Sequence, residues 1–517
     1  GEEDIRLRGF PLQATGDVFV DGMRDPAFYE RDTFNYDRLE VLRGSASMLF
    51  GRGSTGGAVN QVSKLPRLMD EHQIDVTLGN HDYGRLVGDF NFRLGESAAL
   101  RLGTMVTKAD DNGAGSSLDK QGVALALRWG IGERHEFLLS GYHLDNQNGM
   151  NYGLPWIRPT VSAPVAETTL LPLDPATYYG MASDGNGGQA DRLSASHSHR
   201  FAGGGHLVTQ VQAAKYERDQ RAGTVRLANV AGQAVTRASF GPASVINRGT
   251  QLKIQDLDTV FAQSDYSAKF SALGFKHEVQ SGIDVADEKK TVYAALSAAQ
   301  GGVNLVKPTT AIGTPNDGAS IDESLRVLRV ANDYHSRGAG VYVQNLMSLS
   351  PSWKLLAGLR YDTLVGDYNA YAIPTAAVGP VTTTSYRMTI GEWSQRAGVL
   401  FQPNDQMSFH VSAATSFNTS GDAYSLSAAN VDIPPEKAIN VELGAKVESD
   451  DGRFSARFAA FRSTKLHERN TDPLVNLVTL SGKRHVAGID LDFAGRLTPA
   501  WEVYGSYMWL PVANIDV

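Results

Sequence analysis

The chain has 517 residues, with 48 Lys+Arg against 56 Asp+Glu, a net charge of −8 and no cysteine. The acidic balance argues against a nucleic-acid binder, whose domains carry a basic face. The missing thiols exclude disulfide frameworks, thiolate zinc sites and cysteine nucleophiles. Mean hydropathy is −0.24, and no run approaches the roughly 18 apolar residues of a membrane-spanning helix. A helical membrane protein is thereby excluded, but not a membrane β-barrel, whose alternating strands average out as hydrophilic.

Residues 1–67 read as a small mixed α/β unit. Short strand-like pieces at Ile5–Arg8 and Val18–Asp21 precede a dense stretch from Arg38 to Gly51, and Pro66 closes the block. The turn Gly51-Arg-Gly-Ser-Thr-Gly-Gly57 looks like a phosphate loop but lacks the Gly-Lys-Ser/Thr ending that defines one. Its glycines are expected to serve tight turns.

From about Gln73 the chain alternates with period 2, and residues 68–517 are expected to form one barrel. Val441, Leu443, Ala445 and Val447 alternate with Glu442, Gly444, Lys446 and Glu448; Trp353, Leu355, Ala357, Leu359 and Tyr361 behave alike. Ile489, Leu491 and Phe493 alternate with Asp490, Asp492 and Ala494. Each such strand has one apolar and one polar face. Aromatic rings bracket the apolar faces, Trp353 with Tyr361 and Trp501 with Trp509, as the two membrane–water interfaces favour.

Connections alternate too. Tight turn chemistry falls at 95–97, 132–133, 202–204, 273–274, 350–352, 402–405, 450–452 and 498–499. Long polar stretches lie between, at about 146–190, 220–252, 290–334, 364–390, 418–436 and 467–483. Short turns on one side and long loops on the other is the outer-membrane pattern. This rhythm gives about seventeen strands, the last near 500–510. Barrels of this kind have even strand numbers, so the expectation is a chain incomplete at its C-terminus, with an unpaired strand near residue 510. The opening at Gly1, without Met or an apolar leader, is expected to reflect a removed signal peptide or an excerpt.

The first block resembles the end of the plug domain of TonB-dependent outer-membrane receptors, in Ile5-Arg-Leu-Arg-Gly-Phe10, Val20-Asp-Gly-Met-Arg-Asp25, Leu39-Glu-Val-Leu-Arg-Gly44 and Gly56-Gly-Ala-Val-Asn-Gln-Val-Ser-Lys64. Pro435-Glu-Lys-Ala-Ile-Asn-Val-Glu-Leu-Gly-Ala-Lys446 is similar to a barrel strand of that family. Arg24-Asp25, Tyr152-Gly-Leu-Pro155 and Ser506-Tyr-Met-Trp-Leu-Pro511 resemble the catecholate ferric-siderophore receptors within it. The resemblance implies an all-β transmembrane barrel of the 22-stranded type, with the mixed α/β plug remnant inside. It also implies that the first half of the plug, with its TonB box, and about five further strands are missing.

The function implied is TonB-dependent uptake of a ferric siderophore, of catecholate type, across the outer membrane of a Gram-negative bacterium. The partners implied are the ferric siderophore, the TonB-ExbB-ExbD inner-membrane complex and outer-membrane lipid, with the receptor a monomer. Iron travels as cargo within the chelate, and no resident cofactor or metal and no catalysis are expected. Rival readings are another cargo (a hydroxamate siderophore, cobalamin or an oligosaccharide), a passive porin, and a soluble β-rich carbohydrate-binding or hydrolytic protein. The last has no Gly-x-Ser-x-Gly elbow or His-Glu-x-x-His helix to anchor it. The family's haem-receptor signatures, Phe-Arg-Ala-Pro and Asn-Pro-Asn-Leu, are also absent.

Two sets of site residues follow. Glu442 and Asp490 lie opposite the apolar faces of their strands, and carboxylates inside a plugged barrel must be hydrated or paired. The resemblance implies that Arg8 and Arg43 pair with Glu442 and Asp490 to hold the plug. Asp490 stands where the family usually has Glu, one methylene shorter. The alternative is ordinary lumen charge solvated by water. The ligand is expected where the plug loop Arg24–Asp32 meets the external loops. Arg24 and Arg31 would meet the charge of a trianionic chelate, and Phe28 and Tyr29 would stack on its rings. Tyr152, Trp156, Arg158, Tyr178 and Tyr179 are the loop candidates; the alternative is a plug loop that merely packs under them. His197 and His199 share a strand face, but no third metal ligand is visible.

Overall fold

The computed structural model describes residues 5–12, 17–26, 29–53, 56–110, 115–157, 169–419, 431, 433–471, 478–480 and 482–516. Phe28 and Arg158 lie outside these residues.

The plug begins with β1 (Arg6–Leu7) and β2 (Phe10–Pro11), a two-residue hairpin. Next come β3 (Val18–Val20), β4 (Met23–Arg24), β5 (Tyr36–Arg43), the single-turn helix α1 (Ser47–Phe50) and β6 (Gly57–Ser63). Four of the strands form a mixed sheet in the order β4-β3-β6-β5, with β3 parallel to β6. The block is therefore mostly sheet, its helical share reduced to α1. Phe19, Ala46 and Ala58 form its small core.

Seventeen long strands among the described residues make the wall. They are β7 (Glu71–Leu78), β8 (Gly84–Arg93), β9 (Ala98–Ala109), β10 (Leu118–Trp129) and β11 (His135–Gly149). After the short external pair β12 (Trp156–Ile157) and β13 (Thr169–Leu170) come β14 (Gly185–Arg200), β15 (His206–Leu227), β16 (Val245–Ala272) and β17 (Phe275–Ala295). A two-residue β18 (Thr310–Ala311) docks on β16. The wall continues with β19 (Leu328–Ser348), β20 (Trp353–Ala372), β21 (Thr382–Phe401), β22 (Met407–Asn418), β23 (Glu436–Glu448) and β24 (Phe454–Leu466). The short external pair β25 (Arg469–Thr471) and β26 (Val478–Leu480) precedes β27 (Lys483–Thr498) and β28 (Trp501–Asp516).

The wall is an antiparallel meander, each strand in register with the next. Its order closes with β28 beside β7, yet among the described residues no register joins these two strands. Their side chains are exposed along most of both, and at every position of β7.

All eight tight turns fall between strands as expected, but several long loops are shorter than the sequence suggests. β16 alone runs for 28 residues, where about 9–11 cross a bilayer. Once two strands pair, continuing the ladder beyond the membrane satisfies backbone groups that a loop would leave to water.

Alternation sets the two faces. Val441 and Leu443 of β23 are 48% and 54% exposed and point outward, while Asn440, between outward-facing Ile439 and Val441, points inward and is buried. Trp353, Trp501, Trp509 and Tyr507 are likewise exposed on the outer face. The inner face presents Arg360, Asp362, Ser394, Gln212 and Asp490, all buried against plug or neighbouring wall. No helix of the described residues is long and apolar enough to cross a membrane; the strands do it instead.

Candidate functional site

Plug and wall meet through charge at two heights. Near the tight-turn side, Arg8 and Gly9 close the β1–β2 hairpin, both at positive φ, 51° and 82°. That is the backbone of a type I′ turn, uncommon for a residue with a side chain. Arg8 is 2% exposed. Its Nη2 donates to Glu442 Oε2 at 2.6 Å and to Asp490 Oδ2 at 2.9 Å. Its guanidinium also lies over the Phe461 ring, 3.7 Å from the centroid.

Arg43, ending β5, forks onto Asp492 at 2.6 and 3.1 Å, and its nearest approach to Asp490 is 4.0 Å. All four predicted residues are thus brought together, with the pairing divided differently. The short arm of Asp490 reaches Arg8 and leaves Arg43 to Asp492. Sequence reading omitted Asp492, although its place two residues after Asp490 puts it on the same strand face. It also omitted His410, which meets Glu442 Oε1 at 3.1 Å. Only the β22–β23 register brings that pair together.

The upper meeting place is the plug loop 24–32, and here the expected ligand residues turn inward. Asp25 is 1% exposed, and a buried carboxylate must be compensated. Arg31 Nε donates to it at 2.6 Å, Tyr29 hydroxyl at 2.9 Å and Tyr216 hydroxyl at 3.1 Å. Arg192 Nη1 approaches to 3.7 Å. Burial, reinforced by the Asp25 charge, pushes the Tyr29 hydroxyl well above the usual tyrosine range. Arg24 is also buried, donating to the Arg52 carbonyl at 2.5 Å and resting over Phe19. Arg24, Tyr29 and Arg31 therefore build the loop from within, a correction to the expectation that they face the ligand.

The loop's acids anchor it to the wall. Glu30 accepts from Asn148 at 2.5 Å and Asn186 at 2.9 Å and pairs with Lys120 at 3.3 Å. Asp32 takes a fork from Arg85 at 2.7 and 2.9 Å. Beside α1, Arg52 pairs with Glu288 of β17.

Of the loop candidates, Tyr152 and Trp156 are 39% and 51% exposed, with Tyr152 hydroxyl accepting from Gln220 at 3.1 Å. Tyr178 and Tyr179 are committed to packing, another departure from expectation. Tyr178 hydroxyl donates to the Met150 and Met181 carbonyls, and Tyr179 hydroxyl to the Ile312 carbonyl, each at 3.0 Å. Tyr179 thereby joins segment 169–184 to segment 296–327, which also share an Ala182 N–H to Ala319 carbonyl bond. Arg248 beside Asp317 holds that carboxyl below its usual range and pins the second segment.

His197 and His199 meet His135, whose Nδ1 is 3.1 and 3.3 Å from their ring nitrogens. Among the described residues no group is arranged to hold a metal ion.

Residues 128–516 match the family model described as TonB dependent receptor-like, beta-barrel, and residues 1–58 match the TonB-dependent Receptor Plug Domain. The chain is a TonB-dependent receptor. It is an outer-membrane protein of a Gram-negative bacterium, and the exposed apolar side chains of its strands suit a bilayer. A probable TonB-dependent receptor of Bordetella pertussis, BfrD, is 26% identical over 511 residues, spanning 95% of this chain and 67% of that protein. The catecholate siderophore receptor Fiu of Escherichia coli K12 is 25% identical over 540 residues, 97% of this chain and 68% of Fiu. In three dimensions the receptor resembles the siderophore receptor PiuA of Acinetobacter baumannii, with a TM-score of 0.87 at 22% identity, covering 100% of this chain and 74% of PiuA. It also resembles the closed form of E. coli Fiu, with a TM-score of 0.85 at 21% identity, covering 98% and 73% of the two chains.

Proposed function

We propose that the receptor takes up a ferric siderophore across the outer membrane, that the chelate is of the catecholate type, and that the TonB-ExbB-ExbD complex supplies the energy. The relatives named catecholate siderophore receptors support the cargo class. The plug supports the energised mechanism. It is seated in the lumen by Arg8 on Glu442 and Asp490 at one height and by Asp32 on Arg85 at the other. A porin has no use for such a barrier, and moving it requires work. No bond is made or broken in this cycle, so the receptor is no enzyme. Tyr152 and Trp156 are the exposed aromatics available to catechol rings.

Growth of an iron-limited strain lacking its own receptors, complemented with the full-length gene and fed purified ferric siderophores, tests the reading. Growth on catecholate chelates that depends on TonB is the expected result. TonB-dependent growth on hydroxamates alone would move the cargo class, and TonB-independent uptake would overturn the mechanism.

A further inference from the structure

Carboxylates and cations meet in clusters around the lumen. Around Arg8 and Arg43 stand three acids, Glu442, Asp490 and Asp492. At the wall formed by β8 to β15, three carboxylates are each shared by two cations. Asp89 holds Lys64 and Arg101 at 2.7 and 2.8 Å. Glu136 holds Arg128 and Arg200 at 2.5 and 3.3 Å. Asp25 holds Arg31 and Arg192 at 2.6 and 3.7 Å.

Between this basic wall and the plug lies a cavity of about 410 Å³, within the range of small-molecule sites. Small wall residues make the room, among them Ala124, Ser140, Ser194 and Ser196. It extends from Arg128 and Arg200 near the tight turns up to Tyr142 and Arg192 beneath the Asp25 cluster.

Two of its lining groups are unsatisfied. The Arg192 side chain is 4% exposed; its Nη2 donates to Tyr36 hydroxyl at 3.1 Å, while Nη1 has no hydrogen bond. The Tyr142 hydroxyl, on a residue 8% exposed, has none either. The two are neighbours, with the Arg192 guanidinium 4.1 Å from the Tyr142 ring centroid. A buried donor without an acceptor is costly, and here two adjoin a cavity ringed by surplus positive charge.

We propose that this cavity is an internal oxyanion site, in which Arg192 Nη1 and the Tyr142 hydroxyl donate to the catecholate or carboxylate oxygens of one ligand group. It lies on the inner side of the apical loop, so an anionic cargo would meet it on leaving the external vestibule. As a station for cargo it rests on the uptake reading; as an anion site it does not.

The test is equilibrium dialysis of the full chain in detergent against 2,3-dihydroxybenzoate, with inorganic phosphate as competitor. Saturable binding that phosphate displaces is expected. Tyr142→Phe should weaken it about tenfold, as the loss of one hydrogen bond to a charged group implies. The same change should leave the melting temperature unaltered, since that hydroxyl has no partner to lose. Ser194→Trp, which fills the cavity, should abolish binding. No saturable binding, an unchanged affinity in Tyr142→Phe, or binding indifferent to phosphate would overturn the site. If dialysis succeeds while cells take up no ferric catecholate, the uptake reading falls and the anion site stands.

Discussion

Arg8 combines an unfavourable backbone with a favourable side chain. At φ 51° it occupies a conformation better suited to glycine, and it stays there because its guanidinium serves two buried carboxylates. Arg8→Ala leaves Glu442 and Asp490 without it, and stranding a buried charge costs about 3–5 kcal/mol. The plug should then be cleaved by protease far faster than in the parent, and equal rates would count against the pairing. Arg43→Ala should cost only ~1 kcal/mol or less, because that pair is about 30% exposed on both sides and solvent screens it. Reversing Arg43 and Asp492 together should recover the loss caused by either reversal alone. Tyr29 adds a pH dependence. Its raised pKa means that the folded loop binds the phenolic proton more tightly than the unfolded chain does. That contribution is complete below the unfolded value of about 10 and declines as pH climbs past it. Plug melting followed from pH 8 to pH 11 should be flat below 10 and fall above it, and Tyr29→Phe should lessen the fall.

At the level of elements, β23 shows how one strand serves two solvents. Leu443 faces lipid, and Leu443→Arg near the bilayer midplane should destabilise the barrel by about 2–4 kcal/mol, measurable as a lowered midpoint in urea. The neighbouring inward positions are polar because they meet plug and water. The glycine-rich turn after α1 has a steric explanation rather than a phosphate. A Cβ at Gly57, whose φ is 143°, would sit 2.0 Å from the Leu42 carbonyl oxygen, so the β5–β6 pairing leaves no room for one. The plug loop 24–32 shows where reading by residue type failed. Two cations and two aromatics in an apical loop suggest a surface for an anionic ring, but buried Asp25 turns Arg31 and Tyr29 inward. One of its partners, Arg192, comes from a wall strand that no local pattern could nominate. The loop's acids, overlooked in the sequence, are what fasten it to Asn148, Asn186 and Arg85.

For the whole molecule, plug retention is spread over separate contacts. Arg8 engages β23 and β27, Arg52 engages β17, and Asp32 engages β8. Distant contacts add nearly independently, so Arg8→Ala with Arg52→Ala should loosen the plug by about the sum of the single effects. Sensitivity of cells to a large hydrophilic antibiotic reads this out; a double variant no leakier than Arg8→Ala would show that Arg52 does not hold the plug. The alternation of apolar residues, the bracketing aromatics and the sidedness of the turns determined by themselves that the chain is a membrane barrel with about seventeen wall strands, and the resemblance of the first block's motifs supplied the plug. Those properties depend on residues two apart or on neighbours along the chain, and period 2 leaves little choice of face. The tertiary structure alone decided which arginine meets which carboxylate, where the plug loop points, and that a basic cavity runs beside the plug. Those outcomes depend on the register between distant strands and on burial, which decides whether a charge stays in water or must find a partner.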